Sequence, residues 1–273
     1  MLKSNPFFMI VCYYTKKDGE IMEYNFKKTV NLFMVFDILG DTERTVPHLW
    51  QIDRKRLEDV KNHVLDLLLI VRMLKKHFPD CLDYEKVEDY IICHDLPEAI
   101  TGDITKFEGV SGDEIKRVTM LAIEWLGKTF DDVMPLSTIL NNYEGRVDIE
   151  SKVVNMIDRV HSASTFIKYQ SEGICDMDDP RIMPILRNNP LVVKGIEEGK
   201  DLADIFFDVH MQSVFMSDEE CEMFGISRED GDRIVNVISA FANEMIEQKN
   251  KGTLLNVKSE LPSDAMIYNR NKK

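Results

Sequence analysis

Apolar residues recur at intervals of three and four along most of this chain, and that spacing is typical of amphipathic helices. It predicts helices over approximately residues 26–38, 55–77, 84–98, 112–130, 148–171, 191–213 and 228–249. The alternation expected of strands is nearly absent, and glycine, proline or clustered polar residues separate the helical segments. The pattern therefore predicts an all-α protein.

The order of these segments indicates how the chain is organised. We expect an N-terminal extension at residues 1–25, a main helical domain at 26–175, a C-terminal helical segment packed on that domain at 176–250, and a flexible tail at 251–273. The apolar stretch near the N-terminus is too short to span a bilayer and lacks the cleavage site of a signal peptide. Met22 offers an alternative translation start.

The charge balance limits the partners that the protein can bind. Asp and Glu outnumber Lys and Arg by 48 to 34, which gives a net charge of −14, so attraction to a nucleic-acid polymer is not expected. A small phosphorylated substrate is compatible with this charge, because a metal ion and one or two arginines create a local positive site. Five scattered cysteines without a C-x-x-C pair favour reduced thiols and a cytoplasmic location, with no membrane attachment.

The most informative feature is the doublet His94–Asp95, in the stretch DYIICHDLPEAITGD. Neighbouring side chains on a straight helix diverge by about 100°, so both can reach one cation only if the helix bends there. His63 lies in a helical segment upstream and Asp158 in another downstream. Three helices could thus bring two histidines and two aspartates to one ion. Such a set leaves open coordination positions and suits Mn²⁺, Co²⁺ or Fe²⁺ better than a closed structural zinc site.

The surroundings of His63 and Asp158 indicate that both side chains point inward. His63 lies beside an apolar stripe, either as a ligand or as a hydrogen-bonded core histidine. Asp158 lies at the edge of a buried face, where an ionised carboxylate is costly unless it is paired or metal-bound. Arg159 is a poor partner because adjacent residues on a helix point apart. His161 lies one turn beyond Asp158, and we interpret it as a structural residue.

The order H…HD…D resembles that of the HD-domain phosphohydrolases. The residues Glu98, Thr101, Gly102 and Asp103, which follow the doublet, make the resemblance closest to the 5′-deoxynucleotidase branch, typified by the YfbR-like enzymes. The resemblance covers roughly residues 30–170. It implies an HD-domain helical bundle with additional C-terminal helices, one divalent metal ion, and removal of the 5′-phosphate from (deoxy)nucleoside 5′-monophosphates.

The resemblance also implies roles for individual residues. The metal ligands would be His63, His94, Asp95 and Asp158. Glu98 would lie near the attacking water, and the flexible Gly102 would let Asp103 turn back toward the ion as a general acid or base.

Phosphate binding is implied for Arg44, with Arg54 and Arg56 as rivals. The family usually has an acidic residue immediately before the first metal-binding histidine, whereas this chain has Asn62 there.

Two other functions remain open from the sequence. An HD-type hydrolase of deoxynucleoside triphosphates or of another nucleotide phosphate is the main alternative, although the alarmone hydrolases carry an Asp where this chain has Ala99. The other alternative is a non-catalytic binding protein on the same fold. In each enzymatic reading the partner is a small-molecule nucleotide, and a homodimer is a further expectation.

Overall fold

The computed structural model describes residues 26–44, 58–105, 108–173 and 187–254, together with Pro184 and the backbone of two short strands. These strands are β1 (Thr15–Lys17) and β2 (Glu20–Met22), which pair antiparallel. The rival arginines Arg54 and Arg56 and most of the predicted tail lie outside the described residues.

Helices form nearly all of the described fold. They are α1 (Phe26–Ile38), α2 (Val60–Leu74), α3 (Tyr84–Cys93), α4 (Glu98–Thr101), α5 (Gly112–Phe130), α6 (Leu136–Gly145), α7 (Ile149–Ser171), α8 (Pro190–Glu197), α9 (Leu202–Met211), α10 (Asp218–Phe224) and α11 (Arg228–Asn250). A short 3₁₀ turn, Lys75–His77, follows α2. The prediction of an all-α protein is confirmed. Among the described helices, none is both long and apolar enough to cross a membrane.

Helix α7 lies at the centre of the core. Its residues Val153, Val154, Met156, Ile157 and Val160 are almost fully buried, and they recur at the spacing of a helix that is covered on most sides. Helices α2, α3, α6, α9 and α11 all pack against it. The helices after residue 187 thus complete the core around α7, while the boundaries predicted for the four segments of the chain stay predictions.

Side-chain caps fix where the two longest site-bearing helices begin. The side chain of Asp148 accepts a hydrogen bond from the backbone N–H of Ser151, and the hydroxyl of Ser151 accepts one from the backbone N–H of Asp148. Helix α7 therefore begins with a capping box. Asp59 caps α2 by accepting a hydrogen bond from the N–H of Asn62. The predicted helix 55–77 was therefore too long at its start, because Glu58 and Asp59 are not helical.

The predicted helix 84–98 was wrong at its end. Helix α3 stops at Cys93, and residues 94–97 form a turn before α4. Pro97 explains this break, because it has no N–H to donate to the carbonyl one turn earlier and it disfavours a helical conformation at Leu96. Within the turn, the N–H of Leu96 donates to the carbonyl of Cys93 at 2.9 Å instead.

The predicted helix 191–213 was also wrong, because the chain forms two helices there. Gly199 adopts a left-handed conformation with φ of 72°, and Asp201 caps the new helix α9. The two helices pack closely: a Cβ added at Gly195 would lie 2.5 Å from Ile205. Helices α4, α6 and α10 were not predicted.

Candidate metal centre

His63 lies one turn into α2 and is fully buried beside Val60 and Leu67. Its Nε2 atom is buried and faces Oδ1 of Asp158 at 3.1 Å. Burial, together with the charge of Arg44, lowers the pKa of His63 to about 3, so the ring is neutral at physiological pH. A neutral imidazole with one uncommitted nitrogen is the form that binds a metal ion.

The doublet lies in the turn that Pro97 creates, and this turn lets both of its side chains face the same place. Nδ1 of His94 lies 2.9 Å from the carbonyl oxygen of Ile91, which can only accept, so Nδ1 carries the proton and donates this hydrogen bond. In the neutral ring, the buried Nε2 of His94 therefore offers a lone pair. The bend expected at His94–Asp95 is present.

Asp158 projects from the middle of α7 toward α2. Its Oδ1 atom lies 3.1 Å from Nε2 of His63. Burial opposes ionisation of Asp158, but the adjacent His63 and Arg44 outweigh it and hold the pKa of this carboxyl well below its usual value. Arg159 is exposed and contributes nothing to this arrangement.

The four residues that were predicted as ligands converge. Ligand atoms of His63, His94 and Asp158 all lie within 4.8 Å of one another. Oδ2 of Asp95 lies 3.5 Å from Nε2 of His63 and 3.2 Å from Nε2 of His94. Donors about 2.1 Å from an ion are about 3.0 Å apart around an octahedral ion and about 3.4 Å apart around a tetrahedral one. The spacing and the two uncommitted imidazole nitrogens fit a divalent cation.

The guanidinium of Arg44 lies beside two of these residues, Asp95 and Asp158. Nη1 lies 3.4 Å from Oδ2 of Asp95, and Nη2 lies 3.9 Å from Oδ1 of Asp158 and 3.2 Å from the hydroxyl of Ser162. Glu58 lies 3.8 Å from Nε. Burial disfavours the charged guanidinium, but the surrounding carboxylates raise the pKa of Arg44, so it stays charged.

Glu98 and Asp103 border this cluster. Burial, and then the charges of Asp95 and Asp103, raise the pKa of Glu98 well above its usual value, and Oε2 of Glu98 is buried without a hydrogen-bond partner. Gly102, which ends α4, has φ of 73°, a conformation that favours glycine, and Asp103 follows it.

Comparison with known proteins decides the family. Residues 39–188, more than half of the chain, match the HD domain family. The chain belongs to the HD domain family. No curated protein matches it.

Two solved structures are similar to this chain at low sequence identity. A crystal structure described as a predicted metal-dependent phosphohydrolase from Magnetospirillum magnetotacticum MS-1 is 14% identical and has a TM-score of 0.53, covering 84% of this chain and 95% of its own. A conserved hypothetical protein from Pyrococcus furiosus is 16% identical and has a TM-score of 0.43, covering 67% and 98%.

The HD-domain centre of this chain also contains His161, which we interpreted from the sequence as a structural residue, and the carboxylates Asp66 and Glu58, which the sequence did not single out. Nδ1 of His161 lies 2.9 Å from Nδ1 of His63, and its Nε2 lies 3.3 Å from Asp66 and 3.7 Å from Glu58. In the sequence, only spacing could have indicated these residues, because Asp66 follows His63 by three positions and His161 follows Asp158 by three. Residues three apart on a helix lie on the same face.

Proposed function

We propose that this HD-domain protein is a divalent-metal-dependent phosphohydrolase that removes the 5′-phosphate from (deoxy)nucleoside 5′-monophosphates. One observation carries the proposal: two imidazole nitrogens, two carboxylates and one buried guanidinium meet at a single place. That combination offers ligand atoms for a cation and a charged guanidinium for a phosphate, which a purely structural cluster does not need. The name of the Magnetospirillum structure agrees with the proposal, although its 14% identity supports only the fold.

The ligands would be His63, His94, Asp95 and Asp158. Bound there, a divalent ion lowers the pKa of water and neutralises charge on a phosphoryl oxygen. Arg44 already lies against Asp95 and Asp158, so its guanidinium can bind the phosphate oxygens that enter the same place.

Two carboxyl groups remain for proton transfer. With positive charge nearby, Glu98 ionises and can accept the proton of the attacking water. As the water oxygen bonds to phosphorus, the bond from phosphorus to the 5′-oxygen breaks, and Asp103, which starts the cycle protonated, gives its proton to the leaving oxygen. The proton that Glu98 has accepted then passes to Asp103 and restores both groups. The pKa of Glu98 is raised in part by Asp103, which shows that the two groups interact electrostatically.

The choice of monophosphates comes from the residues around the doublet. Glu98, Gly102 and Asp103 match the 5′-deoxynucleotidase pattern, and Ala99 departs from the alarmone hydrolases. The effect of the charge of Asp103 on the pKa of Glu98 supports a role for both residues.

A product assay tests the proposal. The purified protein would be incubated with a panel of nucleoside mono-, di- and triphosphates in Mn²⁺, Co²⁺ or Mg²⁺, and the released phosphate would be identified. We expect orthophosphate and a nucleoside from monophosphates. Release of triphosphate from deoxynucleoside triphosphates would favour the alternative enzyme, and no release from any nucleotide would contradict both. The His94→Ala variant, purified in parallel, controls for contaminating phosphatases.

A further inference from the structure

The second ring nitrogen of His63 is held by an unusual partner. Nδ1 of His63 lies 2.9 Å from Nδ1 of His161, and both rings are buried. At this distance exactly one of the two nitrogens carries a proton, because two lone pairs or two protons would repel each other. The protonation state of each ring therefore determines that of the other.

Only one assignment of protons leaves His63 able to bind an ion. Its Nε2 must offer a lone pair, so Nδ1 carries the proton and donates to Nδ1 of His161. His161 then carries its own proton on Nε2. That nitrogen lies 3.3 Å from Oδ2 of Asp66 and 3.7 Å from Oε1 of Glu58, so it faces carboxylate acceptors, as a donor should.

We infer that His161, oriented by Asp66 with Glu58 nearby, is a positioning residue that holds His63 in the tautomer that binds metal. The inference rests on the metal centre of the proposed function. It also explains why an acidic residue is not needed at Asn62, the position before His63. The side-chain amide of Asn62 donates to Asp59, the cap of α2, and does not contact the ring of His63. Support for His63 comes instead from α7, across the helix interface.

The opposite proton assignment has a clear consequence. If His161 donated to His63, Nε2 of His63 would carry the proton and point at Asp158 and Asp95, and no lone pair would face the ion. The same conflict arises for an ion bound by Glu58, His63 and His161, a set whose ligand atoms also lie within 4.8 Å of one another. With a neutral His63 ring, that second ion and the proposed one exclude each other.

Two substitutions separate orientation from packing. In His161→Asn, the side-chain oxygen can replace Nδ1 as the acceptor, although the ring volume is lost. In His161→Phe the ring volume is kept but the acceptor is lost. Loss of such an outer partner typically weakens metal affinity by about 10- to 100-fold. We expect that loss for Zn²⁺ in His161→Phe and a much smaller change in His161→Asn, measured by competition with a chelator.

A packing role for His161 predicts the reverse order of the two variants, and that order would overturn the inference. Thermal melting of both metal-free variants shows whether either one fails to fold. If His161→Phe does not fold, Asp66→Leu serves as a second variant, because it removes the carboxylate that orients His161 from a position that is half exposed.

Nuclear magnetic resonance of protein labelled with ¹⁵N-histidine gives a direct readout. In the Zn²⁺-loaded wild type, His161 should be the Nε2–H tautomer and His63 should carry its proton on Nδ1. A proton on Nδ1 of His161, or two bound Zn²⁺ ions with His161 as a ligand, would refute the inference. A different result would show that the proposed metal centre itself is wrong: the wild type and His94→Ala would then bind Zn²⁺ with equal affinity.

Discussion

Arg44 lies against the same carboxylates that would hold the proposed metal ion, and this competition leads to a prediction with opposite signs for stability and metal affinity. Arg44 lies 3.4 Å from Asp95, 3.9 Å from Asp158 and 3.8 Å from Glu58. At an effective dielectric constant of about 20, one such contact contributes about 4 kcal/mol before the cost of burying the charges. Removing one member of a buried ion pair typically costs about 3–5 kcal/mol.

We therefore expect Arg44→Ala to lower the free energy of unfolding of the metal-free protein by about 3 kcal/mol. For a chain of this size, that loss lowers Tm by roughly 6–12 °C. A divalent ion neutralises Asp95 and Asp158 in place of Arg44, so saturating Mn²⁺ should recover about half of the loss. By linkage, a recovery of about 1.4 kcal/mol corresponds to a roughly tenfold lower Kd for Mn²⁺ in the variant.

Urea unfolding with and without Mn²⁺ and calorimetric titration would measure both effects. Arg159→Ala is the matched control, because it removes the same charge from an exposed position next to Asp158. Arg44→Lys should lie between the wild type and Arg44→Ala, since it keeps the charge but not the planar group. Equal stability of Arg44→Ala and Arg159→Ala, or weaker Mn²⁺ binding in Arg44→Ala, would refute this account of Arg44.

The remaining predictions concern the ion and the proton transfers. His94→Ala or Asp158→Ala should abolish metal retention and turnover together, because each removes a ligand; full activity after chelator treatment would contradict this. Glu98→Ala should keep the metal and a near-native Tm while kcat falls roughly 10²- to 10⁴-fold, and loss of the metal would make Glu98 a ligand. Arg44→Ala should raise KM for the nucleotide more than it lowers kcat, and an unchanged KM would move phosphate binding to Arg54 or Arg56.

Metal binding should also depend on pH, for a reason that the structure provides. Burial disfavours a charged His94 ring, but Asp95 outweighs burial and raises the pKa of His94 above 6.5. A proton then competes with the ion for Nε2, so the Kd for Mn²⁺ should rise about tenfold for each unit of pH below that pKa. His63, with its low pKa, adds no such dependence near neutral pH. A constant Kd between about pH 5.5 and 7.5 would show that His94 is not a ligand.

Local signals predicted the helices that carry the centre. Helix α1 has the predicted bounds, and α7 differs from its prediction by one residue, because an apolar stripe and the cap Asp148 specify it. The break after Cys93 could also have been anticipated from Pro97. Helix α6 was missed, although its residues Leu136, Leu140 and Tyr143 recur at helical spacing and are buried.

The sequence could not predict how the helices pack against one another. Spacing placed His63 and Asp158 on inward faces, but it could not show that Arg44 lies between Asp95 and Asp158. Nor could it show that His161 faces the back of His63, because that contact depends on how α2 crosses α7. The family pattern offered no help with His161, since the family motif has no histidine at that position.

The distribution of the four converging residues over α2, the turn after α3, and α7 has a consequence for how this protein folds. His63 and Asp158 are far apart in the sequence, and an unfolded chain holds them together only at a substantial cost in loop-closure entropy. An ion at the proposed site would therefore gain its full set of partners only after these three segments have docked. Its binding energy would then stabilise the native state selectively, and it would act mainly by slowing unfolding.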